Sequence, residues 1–191
     1  MRLTGGEHSG RLLKVPADGT RPTQDKVRAA IYSALAAAVP GARVLDLFAG
    51  TGAMGLEAWS RCAAWVDWVE SGKNALRVLR GNVAALGVPA EAGRVLAADA
   101  FRLLAAPCAG APFDLALADP PYAEAQEKNW LPQLAAALAR NGWVRPGGVF
   151  VFETEGKAPP PALPDWRLAR DKSYGSTRVW IWVRASGAPI A

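Results

Sequence analysis

Two hydrophobic periods organise the chain. From Arg43 onward, short apolar runs alternate with stretches whose apolar positions recur at helical spacing. The runs predict strands over residues 44–48, 65–69, 94–97, 115–118, 148–153, 167–172 and 178–184, and the longer stretches predict helices over 53–61, 72–85, 100–105 and 130–141. This alternation predicts an α/β fold of the Rossmann-like kind, a mostly parallel sheet of about seven strands with helices on both faces. Only the last two strands lack a helix between them. Tyr174-Gly175-Ser176 supplies a tight turn there, so the final strand is expected to run antiparallel. Ahead of Arg43, residues 2–4 and 11–15 pattern as a small hairpin. Thr23 then reads as a helix N-cap, with Val27, Ile31, Leu35 and Ala38 on one helical face. The expected organisation is an extension over 1–40 and an α/β domain over 41–191.

The pattern is interrupted in two informative places. After the run Val44-Leu45-Asp46-Leu47-Phe48 come Gly50, Gly52 and Gly55, and then a helical continuation. A strand, glycine turn and helix present backbone N–H groups to a ligand and let it approach closely. The glycines satisfy a dinucleotide-binding spacing, with Glu70 ending the next strand. Asp46 argues against that reading, because a carboxylate at the mouth of the loop repels a pyrophosphate. It suits S-adenosylmethionine, which carries a sulfonium, an ammonium and no phosphate. The second interruption is Asp119-Pro120-Pro121-Tyr122, directly after a buried-strand pattern. Neither proline has an N–H to donate, so carbonyls, a carboxylate and a flat ring are gathered at one strand exit. Acceptors beside a stacking face suit a planar amine donor such as a nucleobase.

Asp46, Glu70, Asp99 and Asp119 each fall at or just past the end of a predicted strand. In open α/β sheets that edge is where ligands bind. Glu70 suits ribose hydroxyls, and Asp99 suits the adenine amine or, alternatively, caps the helix that follows.

Composition narrows the partners. The formal charge is +5, and Arg2, Arg11, Lys14, Arg21, Lys26 and Arg28 crowd the first thirty residues. That cluster favours a polyanion such as RNA. The chain has no run apolar enough to span a bilayer and opens without a signal-peptide core, which predicts a cytoplasmic protein. Cys62 and Cys108 lack metal-site spacing and read as reduced, buried residues. His8, the sole histidine, falls in the hairpin turn with no partner for acid–base work. Trp65, Trp68, Trp180 and Trp182 lie in strand patterns and read as core, while Trp130 follows the Asp-Pro-Pro-Tyr turn and is a candidate base contact. Pro159-Pro160-Pro161 lies in a stiff extended loop.

Taken together, the chain resembles the RsmD-type bacterial (guanine-N2)-methyltransferases of small-subunit ribosomal RNA. The resemblance spans nearly the whole length. It covers Gly5-Gly6 with Gly10-Arg11-Leu12-Leu13, Thr20-Arg21-Pro22-Thr23-Gln24-Asp25-Lys26-Val27-Arg28, the glycine loop with Gly55-Leu56-Glu57-Ala58, Asp119-Pro120-Pro121-Tyr122, and Lys172-Ser173-Tyr174-Gly175-Ser176-Thr177-Arg178. Ser71 departs from it, since relatives often carry a longer polar residue there. The resemblance implies a class I methyltransferase using S-adenosyl-L-methionine, held by Arg21, Thr23, Asp46, Phe48, Gly50, Gly52, Glu70, Ser71, Asp99 and Ala100. It implies catalysis by Asp119, Pro120, Pro121 and Tyr122, without a metal, and RNA contacts from Arg11, Lys14 and Arg28. The implied partner is small-subunit ribosomal RNA, free or inside an assembled or assembling subunit. Three other readings compete: methylation of DNA adenine or cytosine or of a protein glutamine, an NAD-dependent oxidoreductase, and a non-catalytic RNA-binding module.

Overall fold

A computed structural model describes residues 1–15 and 25–186. The strands are β1 (Arg43–Leu47), β2 (Trp65–Glu70), β3 (Gly93–Ala97), β4 (Phe113–Ala118), β5 (Val144–Glu155), β6 (Trp166–Tyr174) and β7 (Thr177–Arg184). They form one sheet in the order β3-β2-β1-β4-β5-β7-β6. The first five run parallel, and β7 lies antiparallel between β5 and β6. The α/β expectation and the antiparallel last strand are both met. The strand order reverses between β1 and β4, and ligands bind at such a switch point.

Helices cover both faces, as α1 (Asp25–Ala34), α2 (Ala53–Ser60), α3 (Lys73–Leu86), α4 (Ala100–Leu104), α5 (Tyr122–Glu127) and α6 (Trp130–Arg140). On one face Val27 and Ile31 of α1, Leu56 of α2 and Leu79 of α3 pack with Val44, Leu117 and Val151 of the sheet. On the other, Leu104 of α4 and Leu134 and Leu138 of α6 pack with Leu45, Phe150 and Trp182. Trp68, Trp180 and Trp182 are core, as their strand pattern predicts, and Trp65 is partly buried. No helix among the described residues is long and apolar enough to cross a membrane.

The structure departs from the sequence pattern in several places. Helix α5 has a single buried residue, Ala125, so it leaves no apolar periodicity to detect. Strand β5 begins well before Gly148 because its register shifts between Phe113 and Leu115, which absorbs Pro146 and Gly147. Helix α1 ends early, leaving Ala38 exposed while Val39 turns inward. Cys62 is exposed and Cys108 partly so, both free, which corrects their expected burial. Cys62 has left-handed backbone, at φ 67°, where the chain leaves α2.

The N-terminal hairpin is real but slight. Its one bridge pairs Arg2 with Leu12. Leu3 and Leu13 are buried in the same apolar cluster as α1 and the sheet. A buried carboxylate then ties the hairpin down. Glu57 of α2 accepts from the Thr4 amide at 2.9 Å, the Thr4 hydroxyl at 2.7 Å and the Arg28 Nε at 2.9 Å, and it also pairs with Arg61. Arg28 itself is wholly buried and pairs with Asp25 as well. Its guanidinium joins α1, α2 and the hairpin. This corrects the expectation that Arg28 meets RNA. Arg11 and Lys14 are exposed, and the Arg11 guanidinium donates to the Ala85 carbonyl.

Candidate active site

The glycine loop is shaped by packing and by backbone sign. Gly52 caps α2 at φ 81°, and a side chain there would run into Leu79. A Cβ on Gly55 would overlap the Trp68 ring, so this glycine seats α2 against β2. The N–H groups of the three glycines are already used. Gly50 donates to Glu70 Oε2 at 2.8 Å, Gly52 to the Ala49 carbonyl at 2.7 Å, and Gly55 to Asp46 Oδ2 at 2.8 Å. Gly50 and Gly55 amides aimed at carboxylates are turned away from any phosphate, which counts against the dinucleotide reading.

Above this loop opens a cleft of about 1210 Å³. A pocket for one drug-sized ligand holds roughly 300–1,000 Å³. The cleft therefore has room for a nucleoside-sized donor together with a base. Its walls bring together Asp46, Phe48, Gly50, Glu70, Ser71, Asp99, Asp119, Pro120, Pro121 and Tyr122. Gly52 and Ala100 stand behind the wall, Ala100 packed in the apolar cluster under α4. Arg21 and Thr23 lie outside the described residues.

Six carboxylates line the cleft, two of them unforeseen: Glu124 of α5 and Glu153 of β5 join Asp46, Glu70, Asp99 and Asp119. For Glu153 the missed signal was an acid closing the apolar run of β5, the same placement that marked the four foreseen. Glu70 bridges two backbone turns, accepting from Gly50 and, through Oε1, from Gly72 at 2.6 Å. Asp99 both lines the cleft and caps α4, accepting from the Arg102 amide at 2.9 Å.

Asp46 is 2% exposed, and burial pushes its carboxyl up from an ordinary 3.8 to about 8. The Gly55 amide opposes that rise, while the charges on Asp119 and Glu70 add to it. A site that resists ionisation this way favours a cationic ligand, which restores the carboxylate as it binds. Two results follow. Affinity for a cationic ligand falls as pH drops below about 8, by at most about tenfold per unit for one linked proton. Because the folded value lies above the unfolded one, Asp46 also contributes stability below the unfolded value that is lost as pH rises through about 8. Asp46→Asn is therefore expected to raise the melting temperature of the ligand-free chain at pH 8.5 and to abolish pH-dependent ligand affinity. Calorimetry at pH 6.5 and 8.5 on both proteins checks each part.

Aromatic rings line the cleft beside these acids. Phe48 and Trp130 stack at 5.3 Å with planes 9° apart, and the Phe101 ring meets Trp130 edge-on at 5.1 Å. Phe48 holds left-handed backbone at φ 57°, unusual for a bulky residue and often found where a site dictates the fold. Tyr122 opens α5, and its hydroxyl donates to Glu153 Oε1 at 2.5 Å. Burial, followed by the charges on Asp119 and Glu153, pushes the Tyr122 phenol far up, so it stays protonated. His8 is remote from this chemistry and stacks on Trp59 at 4.3 Å.

A mostly parallel sheet reversing at β1/β4, with acids at its carboxyl edge and an Asp-Pro-Pro-Tyr exit turn, defines a class I methyltransferase. The chain belongs to the family described as conserved hypothetical protein 95, whose model matches residues 1–183. It is 34% identical over 186 residues to the ribosomal RNA small subunit methyltransferase D of Escherichia coli strain K12, covering 96% of this chain and 90% of that one. Its counterpart from Haemophilus influenzae is 31% identical over 176 residues, covering 92% and 89%. Among solved structures, the Escherichia coli protein yhhF superposes with a TM-score of 0.86 at 34% identity, covering 98% of this chain and 99% of its own. The Thermus thermophilus protein TTHA0928 superposes at 0.76 with 32% identity, covering 95% and 98%.

Proposed function

We propose that this chain, acting in the cytoplasm, transfers a methyl group from S-adenosyl-L-methionine to the exocyclic N2 amine of a guanine in small-subunit ribosomal RNA. One observation carries the reading. The Asp119-Pro120-Pro121-Tyr122 turn opens into the same cleft as the cation-favouring Asp46. The names of the Escherichia coli and Haemophilus influenzae relatives support the RNA class.

When bound, S-adenosylmethionine supplies an electrophilic methyl on a sulfonium. Asp46 faces the positive end of the donor, Phe48 and Gly50 line its path, Glu70 takes the ribose hydroxyls and Asp99 the adenine amine, with Ser71 beside it. The guanine leaves its stack to enter, as base-modifying enzymes require. Stacking on the Tyr122 ring offsets that cost by about 1–3 kcal/mol. The Asp119 carboxylate and the Pro120 carbonyl accept the two N2 hydrogens, and Pro121 keeps the turn rigid. Orientation of the nitrogen lone pair is the main contribution. As positive charge develops on N2, Asp119 stabilises it and accepts the departing proton or passes it to water. Thermal shift with S-adenosylhomocysteine against NADH tests the donor class: stabilisation by NADH alone would overturn it.

Glu70→Ala is expected to weaken donor binding by about 1.5–3 kcal/mol, through loss of charge-assisted hydrogen bonds. Unchanged affinity in titration calorimetry would make Glu70 a brace for the glycine loop and nothing more.

Residues 1–40 act in this reading as an RNA- and donor-contacting extension of the 41–191 domain. Arg11 and Lys14 are exposed on the hairpin, and neither forms an ion pair among the described residues. Replacing both with alanine is expected to leave donor affinity unchanged and to flatten the log affinity against log salt plot by somewhat under two units, roughly 0.7–0.9 per phosphate contact. A normal slope with poorer donor binding would make the hairpin a lid over the donor instead.

A further inference from the structure

The Asp-Pro-Pro-Tyr turn recognises an amine and a flat ring, features that guanine shares with adenine and cytosine. Selection of guanine needs another group in the cleft. Glu153 is the candidate with the right chemistry. It is 2% exposed, stands on β5 opposite Val179 of β7, and lines the cleft with Asp119, Tyr122 and Thr177. The Tyr122 hydroxyl donates to its Oε1 at 2.5 Å, and the Thr177 side chain also hydrogen-bonds that phenol. Holding a tyrosine does not require a charge, since a neutral acceptor would do it. Burying a carboxylate in a cleft that already carries Asp46 and Asp119 is costly by desolvation and by like charge. A carboxylate can accept along about four lone-pair directions, so one group can hold the tyrosine hydroxyl and also meet a ligand. Such a group is suited to a ligand edge bearing N–H donors.

Among the four RNA bases, only guanine carries a ring N–H next to its exocyclic amine. Adenine and cytosine present a ring-nitrogen acceptor beside theirs, and a carboxylate repels that lone pair. We propose that Glu153 accepts the N1–H of the target guanine while Asp119 and Pro120 hold its N2 amine, making Glu153 the residue that selects guanine over other amino bases. This rests on the guanine-N2 reading above and adds the group that enforces it. A site built around one N–H rejects bases lacking it by as much as about 10⁴–10⁵. In a cleft open to water, at least about 100-fold is expected.

The test uses the full chain and a small-subunit ribosomal RNA fragment carrying the target, prepared with guanine or 2-aminopurine at that one position. 2-Aminopurine keeps the exocyclic amine and has an acceptor at N1. Wild type should prefer guanine by at least about 100-fold in kcat/KM. In Glu153→Gln the side-chain amide can donate to N1, so the preference should collapse to within about tenfold. Tyr122→Phe should lower both substrates alike and preserve the preference. Thermal stabilisation of each variant by S-adenosylhomocysteine shows that the fold and the donor site persist. Equal methylation of both fragments by wild type overturns the inference, and so does a Glu153→Gln variant that slows both in proportion, since Glu153 would then only hold Tyr122. If wild type binds S-adenosylhomocysteine but methylates no guanine, the reading of the site fails and this inference with it. Guanine methylation without discrimination defeats the inference alone.

Discussion

Asp119→Ala is expected to lower the single-turnover rate of methyl transfer by at least about 10²-fold and to leave donor affinity nearly unchanged. The asymmetry follows from the order of the strands. Glu70 and Asp99 sit at the β2 and β3 side of the cleft, where the nucleoside of the donor belongs. Asp119 leaves β4, across the switch point from them. In the proposed reading its carboxylate meets the amine and not the adenosine, so it acts on the reacting nitrogen alone. Its charge also contributes to the raised ionisation of Asp46. Removing it should therefore ease Asp46 ionisation and leave the donor, if anything, slightly better held at neutral pH. A normal single-turnover rate in this variant would remove Asp119 from catalysis.

Glu57→Ala is expected to destabilise the chain by about 3–5 kcal/mol, because it strands the buried Arg28 guanidinium without its main partner. Burial raises the Glu57 carboxyl, but hydrogen bonds from Arg28, Thr4 and Arg61 outweigh it and hold the group below its ordinary value of 4.5. A folded value below the unfolded one contributes stability that is present above the unfolded value and is lost as pH falls through the lowered one. The variant should thus lose most at neutral pH and converge on wild type in acid. Urea titrations at pH 7 and pH 3.5 measure both ends. The hairpin should loosen first, since Thr4 is fastened through this carboxylate, and hydrogen exchange at Leu3 and Leu13 would register it. Equal stability of the two proteins at pH 7 would mean that the Glu57–Arg28 pair holds nothing together.

Much of this architecture was legible from residue order because period and chemistry agreed. Strands β1, β2 and β4 are buried on both faces, so their apolar runs are nearly unbroken, and each acid at a strand end stood out. The glycine loop and the Asp-Pro-Pro-Tyr turn could be found because each breaks the local pattern with residues that have few backbone alternatives. What stayed hidden depended on partners distant in sequence. Arg28 looked like one more member of a basic cluster, and only the arrival of Glu57 from α2 turns it into a buried brace. Glu153 resembled the natural end of a strand until Tyr122, far back in the chain, was seen to donate to it. The involvement of the glycine-loop amides with Asp46 and Glu70 was equally invisible, because the spacing alone matches a phosphate cradle. Helix α5 escaped for a simpler reason, being polar nearly all round.

The central claim is that this cleft methylates N2 of a guanine in small-subunit ribosomal RNA. Mass mapping of that RNA from cells with and without the protein tests it most directly. Loss of a single N2-methylguanosine in the deletion, restored by the wild-type chain and not by Asp119→Ala, is the predicted result. An unchanged methylation pattern, or a lost methyl on adenine or cytosine, would contradict it.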